Sequence, residues 1–251
     1  MSVLHTAAAI ARVRAEEGDL PMGQRLFEDP LARLFAGDDA DTTALMALQP
    51  FFRAHVRLRT RFIDDAVLDA LERGTRHLVL LGAGFDCRAY RLKALAARAT
   101  PVFELDHAEQ LQKKQTILAG AGTAPAPLVR TLAADFSALD LEQELSAGLA
   151  AAGFDPGQPS LFVGEGLIGY LDRASIQRLA KATAALAASG SRLILTYHQL
   201  AWHPDIVNAE LAAGGWEPET APTYGELHRL HLGSEAPEDA ARYQLTTARK
   251  S

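Results

Sequence analysis

Residues 77–84, HLVLLGAG, limit the possible folds of this chain more than any other stretch. A short apolar run that ends in glycines reads as a strand buried on both faces and closed by a tight turn. CRAYRLKALAARA (87–99) then has the composition of a helix. The same alternation repeats downstream. TPVFELD (100–106), PLVRTLAAD (127–135), SLFVGEG (160–166) and SRLILTYH (191–198) read as further strands. HAEQLQKKQTILAG (107–120), 139–151 and DRASIQRLAKATAALA (172–187) read as the helices between them, the last capped by Asp172. Strands alternating with helices predict an α/β fold with a parallel sheet covered on both faces.

The flanks differ. From Ala7 to about Arg73 the sequence is mainly helical, punctuated by Pro21, Pro30 and Pro50. Within it Val56, Phe62, Ile63, Val67, Leu68 and Leu71 recur at helical spacing. The expected division is a helical N-terminal cap or lid, 1–73, and a core, 74–251. Beyond the fifth strand, PDIVNAELAAGGWEP (204–218) reads as a helix followed by Gly214 and Gly215, and ARYQLTTARK (241–250) as a final edge strand. At 48% hydrophobic and 22% charged residues, the 251-residue chain can bury a large core. A net charge of −6 with no dense basic run argues against nucleic acid as a main partner. The single cysteine, Cys87, rules out an internal disulfide. No secretory signal pattern and no bilayer-length apolar run are present, so the expected location is the cytoplasm, without a membrane partner.

The glycine turn carries the chemistry. Gly82 and Gly84 allow a sharp turn and a close ligand, and the helix that follows offers unpaired N–H groups. Glycine also serves such turns structurally, but its place between strand and helix points to a cofactor. A dinucleotide fingerprint would put a third glycine where Cys87 stands, and Asp86 at the helix start would repel a pyrophosphate, an effect Arg88 can partly offset. A cofactor bearing an amino group and a sulfonium meets no such conflict; Asp86 can equally cap the helix. Glu104 and Asp106 end the second strand about 20 residues past the turn, where a carboxylate reaches a ribose diol. Spacing favours Asp106, with Glu104 one strand step away on the same face. Asp135 and Phe136 follow the third strand, where they can hold an adenine or merely cap a helix.

Four segments occur in order: RTRFIDD (59–65), LVLLGAGFDCRAYRL (78–92), FELDH (103–107) and EGLIGYL (165–171). Together they resemble the leucine carboxyl methyltransferase and polyketide O-methyltransferase family of class I S-adenosylmethionine-dependent enzymes, from about Thr6 to Leu186. TAAAIARVRA (6–15) and FEDPLA (27–32) are similar to that family's leader. The resemblance implies a doubly wound, mostly parallel seven-stranded Rossmann-like methyltransferase sheet with a helical N-terminal cap. It implies Arg59 at the methionine carboxylate of S-adenosylmethionine, Gly82 along its backbone, Asp106 at its ribose, Asp135 and Phe136 at its adenine, and Glu165 at its amino group. Gly84 and Asp86, in the same turn, complete the cofactor-binding set. Arg57 and Arg61 share the helical stretch of Arg59 and compete for its role. Cys87 stands where the family has threonine or serine. The short stretch after His198 leaves the acceptor class open.

The expected reaction is methyl transfer to an oxygen of a small organic molecule, leaving S-adenosylhomocysteine. The enzyme holds the oxygen in line with the methyl carbon and sulfur and keeps water away. A carboxylate acceptor is ionised at neutral pH and needs no base, whereas a phenol or alcohol gains from one. His198, at the end of the fifth strand, and His203 are the candidate bases. Tyr170 and Tyr197 lie beside the predicted site, where each can bond the substrate or pack through its ring. Trp202 and Trp216 read as core or cap residues, and no metal is called for. Two rivals remain: a nicotinamide-dependent oxidoreductase on a related sheet, and a relative that binds the cofactor without catalysis.

Overall fold

The computed structural model describes residues 3–36 and 51–251; the predicted break at Pro50 lies outside them. Seven strands form one sheet: β1 (His77–Leu81), β2 (Val102–Asp106), β3 (Val129–Ala133), β4 (Ser160–Glu165), β5 (Arg192–His198), β6 (Glu217–Glu219) and β7 (Tyr243–Arg249). Their order is β3-β2-β1-β4-β5-β7-β6. The first five are parallel, while β7 runs antiparallel to both β5 and β6. β1 pairs with β2 on one side and β4 on the other, so the winding direction reverses there. The carboxyl ends of β1 and β4 therefore flank a crevice, the place where open α/β sheets bind ligands.

The described helices are α1 (Val3–Glu17), α2 (Ala32–Phe35), α3 (Phe52–Glu72), α4 (Arg88–Arg91), α5 (Lys93–Ala97), α6 (Ala108–Gly120), α7 (Leu141–Ala151), α8 (Arg173–Ala185), α9 (Pro204–Gly214) and α10 (Tyr224–Leu232). Alternation along the central strands feeds two cores. Val79, Leu81, Phe103, Phe162 and Leu195 pack under α7, α8 and α9. Leu78, Leu80, Val102, Leu161 and Val163 pack under α3 and α5 through Ile63, Val67, Leu71 and Leu95. Burial on both faces is why these strands read as continuous apolar runs. Asp172 caps α8, its Oδ1 accepting from the Ser175 N–H at 2.7 Å.

Two expectations are corrected. Residues 87–99 form two short helices, broken at Leu92, whose ψ of 95° interrupts the ladder. The break leaves Arg88 and Arg91 bonded to Asp64 while Leu95 seats in the core. The last strand is not an edge: β7 lies between β5 and β6. The edge belongs to the unforeseen β6, where Pro218 is tolerated because an edge strand can spare a donor. Trp216, next to it, is core, its indole N–H shared between Thr183 Oγ1 and the Ala180 carbonyl.

Candidate functional site

Gly82 and Gly84 leave β1 with φ of +67° and +48°, the left-handed region that side chains avoid. A Cβ on Gly82 would also come within 3.1 Å of Leu167 Cδ1. The turn lies against β2, and the Gly84 N–H donates to Asp106 Oδ2 at 2.7 Å. Asp106 Oδ1 accepts from the His107 N–H, also at 2.7 Å. The carboxylate is therefore fixed at the strand end with acceptor sites to spare, since each oxygen carries two lone pairs.

A crevice opens above the turn. It is lined by the glycine turn through Asp86, by Arg59 of α3, Glu165 of β4, Tyr170, and Thr6, Ala7, Ile10 and Arg14 of α1. Of the three competing arginines, only Arg59 lines it. Arg57 pairs with Glu17, and Arg61 pairs with Asp65. Arg59 donates through Nε to Glu165 Oε1 and shares Nη1 with His55 Nε2, both at 2.8 Å. Its buried Nη2 has no partner among protein atoms.

Sequence reasoning gave Arg88 only as a partial offset to Asp86 and missed its place in the buried network. Arg88 is fully buried and joins Asp64, Asp86 and Glu165. Arg91 adds a second cation to Asp64, Arg14 bonds the Phe85 carbonyl and faces Asp29, and Lys114 bonds Glu104 Oε2 and the Asp86 carbonyl. No periodicity marks these residues; only the density of acids and arginines in RTRFIDD and FDCRAYR could have hinted at them. Burial by itself would raise the pKa of Glu165 and of Asp86. The guanidinium of Arg88, helped by Arg59 and Arg14 at Glu165 and by Arg14 at Asp86, holds both below the ordinary carboxylate range. Both are thus kept ionised. Glu104, the strand-mate of Asp106, points into this network and not into the crevice lining.

Five buried or nearly buried cations (Arg14, Arg59, Arg88, Arg91, Lys114) meet five carboxylates (Asp29, Asp64, Asp86, Glu104, Glu165), while Asp106 accepts from two backbone N–H groups and pairs with none of these cations. In the crevice lining itself Arg14 and Arg59 balance Asp86 and Glu165.

Other predicted residues stand apart from the crevice lining. Asp135 is exposed at the end of β3, its Oδ1 accepting from the Ser137 N–H, and Phe136 is buried in the core beside Leu105 and Leu141. His198 ends β5 edge-on to Tyr243 at 4.9 Å, with Nδ1 accepting from the Leu200 N–H. Burial, with Arg242 nearby, lowers its pKa. Tyr197 is buried, bonded to Thr246 Oγ1. Tyr170 is half exposed at the crevice mouth. Cys87 is buried and inert, burial pushing its thiol up to about 12.

A glycine-cradled crevice at the reversal point of a 3-2-1-4-5-7-6 sheet, with an acidic residue ending β2, defines the class: the α/β fold of S-adenosylmethionine-dependent methyltransferases. The sequence profile of the leucine carboxyl methyltransferase family matches residues 7–184, and the chain belongs to that family. Relatives named as S-adenosyl-L-methionine-dependent methyltransferases include one from Parafrankia sp., 37% identical over 199 residues, 76% of this chain and 61% of the relative. Another, from Mycobacterium marinum, is 38% identical over 202 residues, 75% of this chain and 63% of the relative. The chain thus spans about three fifths of the length of these curated relatives. Among solved structures, a DUF574-family protein from Streptomyces avermitilis aligns over 96% of this chain and 97% of its own, with a TM-score of 0.60 at 19% identity. An S-adenosylmethionine-dependent methyltransferase from Clostridium acetobutylicum aligns over 83% and 98%, with a TM-score of 0.53 at 11% identity. At those identities the likeness is one of fold. Among the described residues no helix is long and apolar enough to cross a membrane.

Proposed function

We propose that this protein is an O-methyltransferase that uses S-adenosylmethionine to methylate a carboxylate or hydroxyl oxygen of a small molecule, such as a polyketide-type metabolite. The observation that carries the cofactor assignment is the unpartnered Arg59 Nη2 beside the ionised Glu165 in the crevice lining. That donor matches the cofactor's carboxylate, and the ionised Glu165 matches its amino group. A dinucleotide, with two negative phosphates, would meet Asp86 and Glu165 instead.

S-adenosylmethionine supplies a methyl group on a positively charged sulfur. Arg59 binds the methionine carboxylate through Nη2. Glu165, ionised and with lone pairs remaining beyond its bonds to Arg59 and Arg88, accepts from the amino group. Asp106 takes the ribose diol. The adenine would extend toward Asp135, exposed beyond the end of β3, while Phe136 is buried in the core.

The same geometry favours a carboxylate acceptor over a hydroxyl one. The acids that line the crevice, Asp86 and Glu165, are ion-paired with pKa values held low, which makes them poor bases. His198 does not line the crevice, and with Nδ1 accepting from Leu200 its proton sits on Nε2. An acceptor that arrives ionised needs neither. A hydroxyl acceptor would require His198 to give up the Leu200 bond and turn a lone pair toward it.

Calorimetry with S-adenosylhomocysteine and NADH tests the cofactor, and a metabolite screen that follows S-adenosylhomocysteine release tests the reaction. Binding of NADH and not of S-adenosylhomocysteine overturns the assignment. Turnover confined to nitrogen or carbon acceptors overturns the oxygen reading.

A further inference from the structure

We propose that His55 is a positioning residue for Arg59: it ties down one guanidinium nitrogen and thereby leaves Nη2 as the only nitrogen of Arg59 open to the ligand. The proposal rests on the cofactor reading above. A guanidinium only donates, so the 2.8 Å contact between Arg59 Nη1 and His55 Nε2 requires the ring to accept there, neutral and protonated on Nδ1. Burial and then the Arg59 charge hold the His55 pKa well below the ordinary value, in keeping with a neutral ring. Glu165 occupies Nε from the other side. The guanidinium plane is thus fixed at two nitrogens, and the third stays unbonded in a residue that lines the crevice.

His55 is itself clamped. The Tyr243 ring stacks on it at 3.9 Å between centres and 25° between planes, and Tyr224 packs at 4.8 Å. Phe51 packs on both tyrosines. Tyr224 and Tyr243 come from α10 and β7, outside the residues 7–184 that match the family. The C-terminal segment therefore reaches the crevice through a chain of contacts: tyrosines, histidine, arginine.

A phenylalanine would fill this aromatic box at lower cost. His55 Nδ1 is buried without a partner, a penalty a benzene ring would not carry. What histidine adds is an acceptor for Nη1. Without it the buried guanidinium must either leave that nitrogen unbonded or turn in its plane to satisfy it, and turning moves Nη2.

The test is calorimetric titration of S-adenosylhomocysteine into the full chain, with a thermal melt of each variant. Gln at position 55 presents an acceptor near the place of Nε2, Asn nearer that of Nδ1, and Phe presents none. His55→Gln should bind within about threefold of the unsubstituted protein, and His55→Asn and His55→Phe about tenfold or more weaker. With Arg59→Ala in place, His55→Phe should cause no further loss beyond about twofold, because His55 acts only through Arg59. If His55→Phe does not fold, the Asn and Gln pair decides. Unchanged affinity in the Asn and Phe variants, or the same tenfold loss from His55→Phe when Arg59 is already alanine, overturns the positioning role. Failure of the unsubstituted protein to bind S-adenosylhomocysteine overturns the cofactor reading, and this proposal with it.

Discussion

Replacing Arg88 with methionine probes the crevice floor directly. Arg88 is fully buried and serves Asp64, Asp86 and Glu165 at once. Methionine keeps much of the volume and none of the charge. Asp64 retains Arg91, and Glu165 retains Arg59, but Asp86 loses its only ion pair among the described residues. Removing one partner of a buried ion pair costs about 3–5 kcal/mol. A domain of this size loses roughly 2–4 °C of Tm per kcal/mol, so the variant should melt roughly 6–20 °C lower near neutral pH. The pH dependence discriminates further. In the unsubstituted protein both carboxyl pKa values are depressed, so their stabilisation is present above the unfolded values, about 4, and is lost only as pH falls through the folded ones. In the variant the upward push of burial is less opposed. Those folded pKa values rise, the folded state takes up protons as pH falls, and stability climbs in that direction. Each proton taken up recovers up to about 1.4 kcal/mol per pH unit. Melts by scanning calorimetry should therefore show a gap between the two proteins that is wider at pH 8 than at pH 5.5. A loss under about 2 °C, or a gap that does not change with pH, would refute the assignment of Arg88 as the charge that keeps these acids ionised.

The other predictions concern single side chains. Asp106→Ala should weaken S-adenosylhomocysteine about tenfold to hundredfold in calorimetry, the worth of a charge-assisted hydrogen bond, with circular dichroism unchanged; normal binding would remove Asp106 from the ribose site. His198→Ala should leave a carboxylate acceptor unaffected, as read by S-adenosylhomocysteine release, because His198 does not line the crevice; a slowing of about a hundredfold or more would instead make His198 the base. Ala99→Gly should raise Tm by roughly 1–4 °C. Ala99 has φ of +51° just past α5, and the following Thr100 N–H reaches back to the Leu95 carbonyl, an arrangement that favours glycine at the left-handed position. An unchanged or lower Tm would show that the turn carries no strain.

What could be read from the chain follows from the range of the interactions involved. The strands β1 to β5 are legible because burial on two faces leaves an apolar run in the sequence itself. The glycine turn and Asp106 are legible because a strand end fixes what comes after it. β6 has three residues and no period to detect, and alternation in 243–249 says strand without saying which neighbours it pairs with. The ionic floor was invisible for a related reason. Glu165 and Arg88 are 77 residues apart, and Arg59 and Glu165 are 106 apart. Nothing local distinguishes those arginines from surface ones such as Arg73, which pairs within its own helix turn.

The floor also explains why stability and binding draw on the same side chains. Apolar residues of similar volume would often stabilise a core better than buried ion pairs do. Carboxyl groups buried without cations take up protons, and a neutral Glu165 has no charge to offer an ammonium group. Arg88, set beneath Asp86 and Glu165, reverses that preference before any ligand arrives. Arg59 does the same from the side and still keeps one nitrogen unbonded. The cations therefore keep Asp86 and Glu165 ionised, and the folding free energy spent on them is the cost of a site already ionised and already oriented.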